Sequence, residues 1–213
     1  MGDLVLHGYS RSGTSYRTRI ALNLKGLSYA QTTVDLRKGE QHSAAYRALN
    51  PQGLVPALET SSGLFTQSIA ILEWLEEAYP DPPLLPSKLE NRVIVRAMCG
   101  IVACDIHPVN NLRVLQELKH QFGATQAQID GWRARWISAG FSALELMVAQ
   151  HGRGFAFGDT PTLADCHLLP QVYGAERFGI DLSPFPAIAA AAAAARAVPA
   201  IAAADPELQP DAD

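Results

Sequence analysis

The stretch LVLHGYSRSGTSYRTRIALNLKGLSYAQTTVDL, residues 4–36, decides the fold of the first part of the chain. Leu4-Val5-Leu6 is a short apolar strand, and a polar turn, Ser10-Arg11-Ser12-Gly13-Thr14, follows it. Arg17 to Lys25 reads as an amphipathic helix with Ile20, Ala21 and Leu24 on one face. Gly26 sits where a left-handed residue ends a helix, and a second strand falls around Tyr29 to Leu36. Strand, helix and strand in sequence imply a parallel pair joined by a crossover. Further on, Val55-Pro56-Ala57-Leu58-Glu59, the turn Thr60-Ser61-Ser62-Gly63 and Leu64-Phe65-Thr66 read as a hairpin. Ser68 caps a helix running to about Ala78, with Ile69, Leu72, Trp74 and Leu75 as its apolar members. The order β-α-β, β-β-α gives a small mixed sheet with helices.

The texture changes at Tyr79-Pro80-Asp81-Pro82-Pro83-Leu84-Leu85-Pro86, whose four prolines make it a linker. We therefore divide the chain into an α/β domain, residues 1–84, and an all-α domain, residues 85–213. In the second domain, Ser87 to about Gln121 is one helical stretch that Pro108 should kink or interrupt. Ala127 to Gln150 is a second helix, and the capping box Thr162-Leu163-Ala164-Asp165 starts a third. The Ala-rich run from Ala187 to Ala197 reads as a packed helix, whereas Asp205 to Asp213 looks loose.

The chain has 213 residues, 48% hydrophobic and 18% charged, with net charge −4, so a folded globular protein is expected and a basic nucleic-acid surface is not. No basic segment followed by an apolar stretch opens the chain, and no apolar run approaches the roughly 20 residues that span a bilayer. Cys99, Cys104 and Cys166 form no C-x-x-C pair; they read as small buried thiols in a reducing cytoplasm. No second histidine stands at ligand spacing from His107, so no metal site is expected.

Four local features can carry chemistry. Ser12-Gly13-Thr14-Ser15 places hydroxyls and free N–H groups at a helix start, which suits an anion, a thiolate included; ordinary capping uses the same residues. Val55-Pro56 is either an edge-strand proline or a cis bond that turns the Val55 main chain toward an extended peptide. Gln67-Ser68 suits a carboxylate, or is another cap. In Asp105-Ile106-His107-Pro108-Val109-Asn110-Asn111-Leu112-Arg113, His107 and Asn111 are four apart and share one helix face. That cluster can line a pocket or form a hydrated surface.

In this order the features resemble the zeta-class glutathione transferases, also described as maleylacetoacetate isomerases, and especially bacterial glutathione-dependent maleylpyruvate isomerases. The resemblance runs through residues 9–26, Asn50-Pro51-Gln52-Gly53-Leu54-Val55-Pro56-Ala57-Leu58, Gln67-Ser68, Asp105-Ile106-His107-Pro108, residues 158–165 and Ala175-Glu176-Arg177-Phe178. It covers nearly the whole chain, and the Ser-rich turn followed by Arg17 is its most specific part. It implies the glutathione transferase fold, a thioredoxin-like α/β domain followed by an all-α domain, and a homodimer.

The resemblance also implies that glutathione is held by a cis Val55-Pro56 bond, by Gln67 and Ser68 at its γ-glutamyl end, and by Gln52. Ser12 and Thr14 would face the sulfur. Many relatives have Ser-Ser-Cys-Ser where this chain has Ser12-Gly13-Thr14-Ser15, so the hydroxyl next to the thiolate is Ser12, Thr14 or Ser15. Arg11 and Arg177 would meet the carboxylates and the developing charge of a small diacid, with His107, Asn111 and Arg113 on the second-domain side. The implied reaction is cis–trans isomerisation of a maleyl keto acid by reversible thiolate addition. A conjugating transferase or α-halo acid dehalogenase would use the same thiolate, and a non-enzymatic module would have no use for the hydroxyl turn.

Overall fold

The computed structural model describes residues 4–212. They form two compact units, Met1–Leu84 with Ala197–Asp213, and Leu85–Arg196.

In the first unit, β1 (Leu4–Gly8), β2 (Tyr29–Thr33), β3 (Ala57–Thr60) and β4 (Gly63–Thr66) form one sheet in the order β2-β1-β3-β4. β1 and β2 are parallel, from Leu4 opposite Tyr29 to Gly8 opposite Thr33, while β1–β3 and β3–β4 are antiparallel. Helix α1 (Gly13–Leu24) makes the crossover, and α3 (Ser68–Ala78) packs against it. Leu6, Ile20, Leu22, Leu58, Ile71, Leu72 and Leu75 are buried there. Each such side chain contributes about 1.5–3 kcal/mol of transfer free energy.

Local chemistry explains the departures from the predicted boundaries. α1 starts four residues earlier than Arg17 because the Ser12 hydroxyl accepts the Ser15 N–H and caps it there. β2 stops at Thr33, short of Leu36, where Asp35 begins a turn. Its carboxylate accepts the Arg37 N–H, Nε and Nη2 at 2.9, 3.1 and 2.9 Å. These bonds hold the Asp35 carboxyl well below the usual carboxylate range. A short helix, α2 (Ala44–Leu49), went unpredicted; Ser43 caps it by accepting the Tyr46 N–H.

The predicted loose tail is a correction. After α10 (Pro199–Ala202) comes a 3-10 turn, Pro206–Leu208, and both lie in the first unit rather than with the helical domain. α10 packs against α1, and Asn23 Nδ2 donates to the Ala200 carbonyl at 3.0 Å.

The second unit is helical throughout its main elements: α4 (Leu89–Gly100), a π-helical segment (Ile101–Ile106), α5 (His107–Asn110), α6 (Leu112–His120), α7 (Gln126–His151), α8 (Leu163–Arg177) and α9 (Pro186–Arg196). α8 packs against α4 and α9, and α7 against α9. The single helix expected over residues 87–121 is broken. Pro108 has no N–H for the helical ladder, the turns before it widen to the π form, and Asn111 is extended at ψ 161°. The wide segment is accommodated at Gly140 on α7, where a Cβ would lie 2.3 Å from Ile106 Cδ1. Trp132 Nε1 then ties α7 to the Val109 carbonyl at 2.8 Å.

Two further expectations change. Cys99 and Cys166 are buried thiols, but Cys104 in the π-helical segment is exposed. The stretch Leu89–His120, with an 18-residue window of mean hydropathy 1.3, is long and apolar enough to cross a membrane by length and composition. Of its apolar members Val95, Met98, Val102 and Ile106 are buried, whereas Leu89, Val93 and Leu112 are exposed, and 28% of that window is buried in all.

Candidate glutathione site

The turn between β1 and α1 brings the sequence's hydroxyls together in a definite order. Ser12 Oγ accepts the Ser15 N–H and lies 2.9 Å from Thr14 Oγ1. Thr14 Oγ1 donates to the Val55 carbonyl at 2.8 Å. A hydroxyl has one proton. With the Thr14 proton on Val55, the Ser12 proton points to Thr14 and remains free to turn to an incoming anion. Ser15 is fully buried, and its Oγ accepts the Tyr9 N–H at 3.3 Å, so it is set into the base of the turn and does not offer its hydroxyl to a ligand. Gly8 makes room for it: a Cβ there would sit 3.0 Å from Ser15 Oγ. Of the three candidate hydroxyls, Ser12 is therefore the one placed to serve an anion at the α1 N-terminus.

The Val55-Pro56 bond is cis, as the resemblance implied. The loop leading to it is held by side chains that the sequence reading passed over. Tyr46 Oη and Asn50 Nδ2 both donate to the Leu54 carbonyl at 2.7 Å, and Asn50 Oδ1 accepts the Gln52 N–H at 3.2 Å. Gly53 is left-handed at φ +65°, and a Cβ there would approach the Gln41 carbonyl to 3.0 Å. The Asn-Pro-x-Gly pattern of residues 50–53 was the available signal for this turn.

Gln67 departs from expectation. It occupies the cap position of α3, displacing Ser68 from that role, and no side chain caps the helix. Gln67 is the one non-glycine residue with positive φ among the described residues, at φ 68°. Such strain concentrates at ligand sites. The first N–H groups of α3, which like those of any helix have no intrahelical acceptor, here meet no side-chain cap either. Gln67 Nε2 donates to Gln52 Oε1 at 2.6 Å, which brings both predicted glutamine ligands together, and Ser68 is 5% exposed.

His107, Asn111, Arg113 and Arg177 belong to the second unit. His107 and Asn111 do not share a face, because the helix breaks between them and the Asn111 side chain caps α6 by accepting the Val114 N–H at 3.1 Å. Arg113 is exposed in the first turn of α6. Arg177 ends α8, where a cation suits the helix dipole. Its guanidinium lies over the Phe178 ring at 4.9 Å, and Arg133 of α7 lies over the same ring at 4.1 Å. Among the described residues Arg177 makes no ion pair. Arg11 is exposed beside the first-unit turn.

The start of α8 is built differently. Asp165 Oδ2 accepts the Thr162 N–H and hydroxyl at 2.8 and 3.0 Å, Oδ1 accepts the Ala156 N–H at 2.8 Å, and Thr162 Oγ1 accepts the Ala164 N–H at 3.2 Å. Burial outweighs these bonds and pushes the Asp165 carboxyl up to about 6. This predicted capping box is structural.

The profile of the glutathione S-transferase N-terminal domain matches residues 11–78. The chain is 53% identical to the maleylpyruvate isomerase of Ralstonia sp., over 97% of this chain and 98% of that one. It superposes with TM-score 0.96 and 52% identity on the holo structure of a maleylpyruvate isomerase, a bacterial zeta-class glutathione S-transferase, covering 98% of this chain and 100% of that one. A maleylacetoacetate isomerase from Anaeromyxobacter dehalogenans with bound dicarboxyethyl glutathione and citrate matches at TM-score 0.90 and 42% identity, over 100% of this chain and 98% of that one. With the mixed four-stranded sheet, the cis Val55-Pro56 bond and the hydroxyl turn at α1, these likenesses establish that the chain belongs to the zeta class of the glutathione S-transferase family.

Proposed function

We propose that this protein is a glutathione-dependent cis–trans isomerase of a maleyl keto acid, maleylacetoacetate or maleylpyruvate. The observation that carries the reading is the hydroxyl order at α1: Thr14 is committed to Val55, and Ser12 is left to meet a thiolate. Glutathione fits the residues present. The Val55 main chain beside the cis bond offers strand-like pairing to its peptide, and the uncapped start of α3 with Gln67, Ser68 and Gln52 suits its γ-glutamyl carboxylate.

When bound, glutathione supplies a thiolate that adds reversibly to a double bond conjugated with a ketone, so that the bond becomes single and can rotate before the thiolate leaves. The protein's own residues make that chemistry accessible. Ser12 donates a hydrogen bond that holds the sulfur as the anion, aided by the positive end of α1. Thr14 steadies the carbonyl of Val55. As the family resemblance implies, Arg11 of the first unit and Arg113 and Arg177 of the second are the arginines suited to the substrate's carboxylates and to the charge that grows on its ketone oxygen. The two carboxylate-bearing ligands in the Anaeromyxobacter relative support a diacid pocket in this class.

We further read the protein as a cytoplasmic homodimer. Leu89 and Val93, one turn apart on α4 and 73% and 66% exposed, support a second copy covering that stripe. The three free thiols suit a reducing compartment.

The test is a steady-state assay on both keto acids with a trace of glutathione. Turnover far beyond the glutathione supplied supports isomerisation, and the faster substrate places the keto acid. Stoichiometric consumption of glutathione instead indicates a conjugating transferase.

A further inference from the structure

The turn that carries Ser12 is held by a segment about two hundred residues away in sequence. Ser10 is 1% exposed, and each of its polar atoms is engaged. Its N–H donates to Asp211 Oδ2 at 2.9 Å, and its hydroxyl donates to the Asp211 carbonyl at 3.2 Å. Its carbonyl accepts from Arg19 Nη2 at 2.9 Å.

Arg19 is 1% exposed and extends the same clamp. Nε donates to the Ala204 carbonyl at 3.0 Å, and Nη1 makes a weaker contact with the Tyr9 carbonyl at 3.5 Å. The Tyr9 carbonyl also accepts the Ser12 N–H at 3.1 Å. The segment is itself stiffened at Gln209, whose Nε2 donates to the Ala203 and Asp205 carbonyls at 3.2 and 2.7 Å. Gln209 Oε1 accepts from Gln31 Nε2 of β2 at 3.0 Å.

We propose that Asp211 and Arg19 are positioning residues for the Ser12 hydroxyl, so that residues 204–211 form part of the machinery that activates the thiol. Only Arg11 separates Ser10 from Ser12, and the peptide planes between them turn together. Releasing the Ser10 N–H lets the turn rotate, and the Ser12 proton then misses the position of the anion. Small misplacements of this kind are costly, because a hydrogen bond weakens steeply with angle. The charged surroundings of the turn are Arg11, Arg37, Asp35 and Asp211, all acting on Tyr9, with Asp211 and Asp205 acting on Arg19. The inference rests on Ser12 being the thiolate's partner.

A clamp that merely stabilised the fold would not act on the thiol, and this separates the two roles. The thiolate absorbance of bound glutathione is followed against pH in Asp211→Ala, Asp211→Asn, Asn23→Ala and Ser12→Ala, together with kcat, KM and the thermal midpoint. Asp211→Ala is expected to raise the thiolate midpoint by about one pH unit and to lower kcat about 10-fold. KM for glutathione should stay within about twofold, because the Val55 and Gln67 contacts are untouched. Asp211→Asn keeps an oxygen acceptor and should recover most of the loss. Asn23→Ala releases the same segment at Ala200, away from the turn. It should lower the thermal midpoint and leave the thiolate where it was.

A wild-type titration for Asp211→Ala, or an equal shift for Asn23→Ala, overturns the proposal. If Ser12→Ala itself leaves the thiolate midpoint unchanged, the underlying reading of Ser12 fails, whatever Asp211 does.

Discussion

The starts of α1 and α8 are made from the same kinds of residue and do opposite things. At α8, Thr162 and Asp165 turn inward, and the box closes on its own backbone with both residues buried. At α1, Ser12 accepts one N–H, but the position three residues on is Ser15, which reaches away to Tyr9. Ser15 does not turn back to the Ser12 N–H as Gln128 turns back to Thr125 at α7, so the box does not close and the positive helix end stays open. The start of α3 is more open still, with no side-chain cap and a strained Gln67 in its place. The residue three positions past the cap thus separates a helix start closed on its own backbone from one left open, which the proposed function assigns to a ligand.

The largest effect is expected where the box is closed. Asp165→Ala strips acceptors from Ala156 and Thr162 in a buried site and should destabilise the protein by about 3 kcal/mol, with kcat/KM little changed in the folded fraction. Denaturant unfolding with activity measured alongside checks this. The pH dependence follows from burial. In the folded protein the carboxyl titrates at about 6, above its ordinary value of 3.8, so the native state holds the proton more tightly than the unfolded chain. Its contribution is complete below pH 4 and is lost as pH rises through 6, a decline of at most about 3 kcal/mol. Asp165→Asn should flatten that decline. A loss of catalysis without loss of stability in Asp165→Ala would erase the distinction between the two helix starts.

At the open start the prediction reverses. Ser12→Ala should lower kcat/KM about 100-fold, as expected for one donor to a reacting anion, while stability falls by only about 1 kcal/mol for the lost cap. Thr14→Ala acts through Val55 and should raise KM for glutathione more than it lowers kcat. Equal effects on kcat from both would mean that the pair shares the thiolate.

The far end of α8 sharpens the contrast within one helix, whose start is closed and whose end carries Arg177 over Phe178. Arg177→Ala should lower kcat/KM for the diacid about 30-fold, the loss of one charge-assisted contact, and leave the glutathione KM alone. Arg177→Lys should recover only part of it, because a lysine offers no bidentate fork. Unchanged efficiency in Arg177→Ala would remove Arg177 from the substrate site.

What could be read in the sequence divides along similar lines. β1, α1, the hairpin, α7 and the α8 box were legible because each is specified by neighbours in the chain, through periodicity or a cap three residues away. The hydroxyl turn, Val55-Pro56 and Gln67-Ser68 were legible as types of residue. Their order of use was not, because it depends on Thr14 meeting Val55, 41 residues on. The tail was misread for the same reason. Asp205 to Asp211 is polar and rich in turn residues, and its anchors, Arg19, Gln31 and Ser10, lie near the other end of the chain. The break at Asn111 was half legible: Pro108 announced a disturbance, but the widened turns need the space at Gly140.

The smallest effect is expected at the start of α3, where the proposed function assigns most of the binding to backbone N–H groups. Gln67→Ala removes the side-chain amide and its bond to Gln52, but leaves the first N–H groups of the helix in place. KM for glutathione should rise about fivefold, near 1 kcal/mol, with kcat unchanged. Gln67→Gly removes the same amide and also relieves the positive φ, which Gly adopts at no steric cost. The two variants should therefore bind glutathione alike, while Gln67→Gly unfolds at the higher denaturant concentration. If Gln67→Gly instead binds much more weakly than Gln67→Ala, the strained backbone is what holds the helix start in register for the carboxylate. The open start of α3 would then depend on stored strain, as the closed start of α8 depends on its carboxylate.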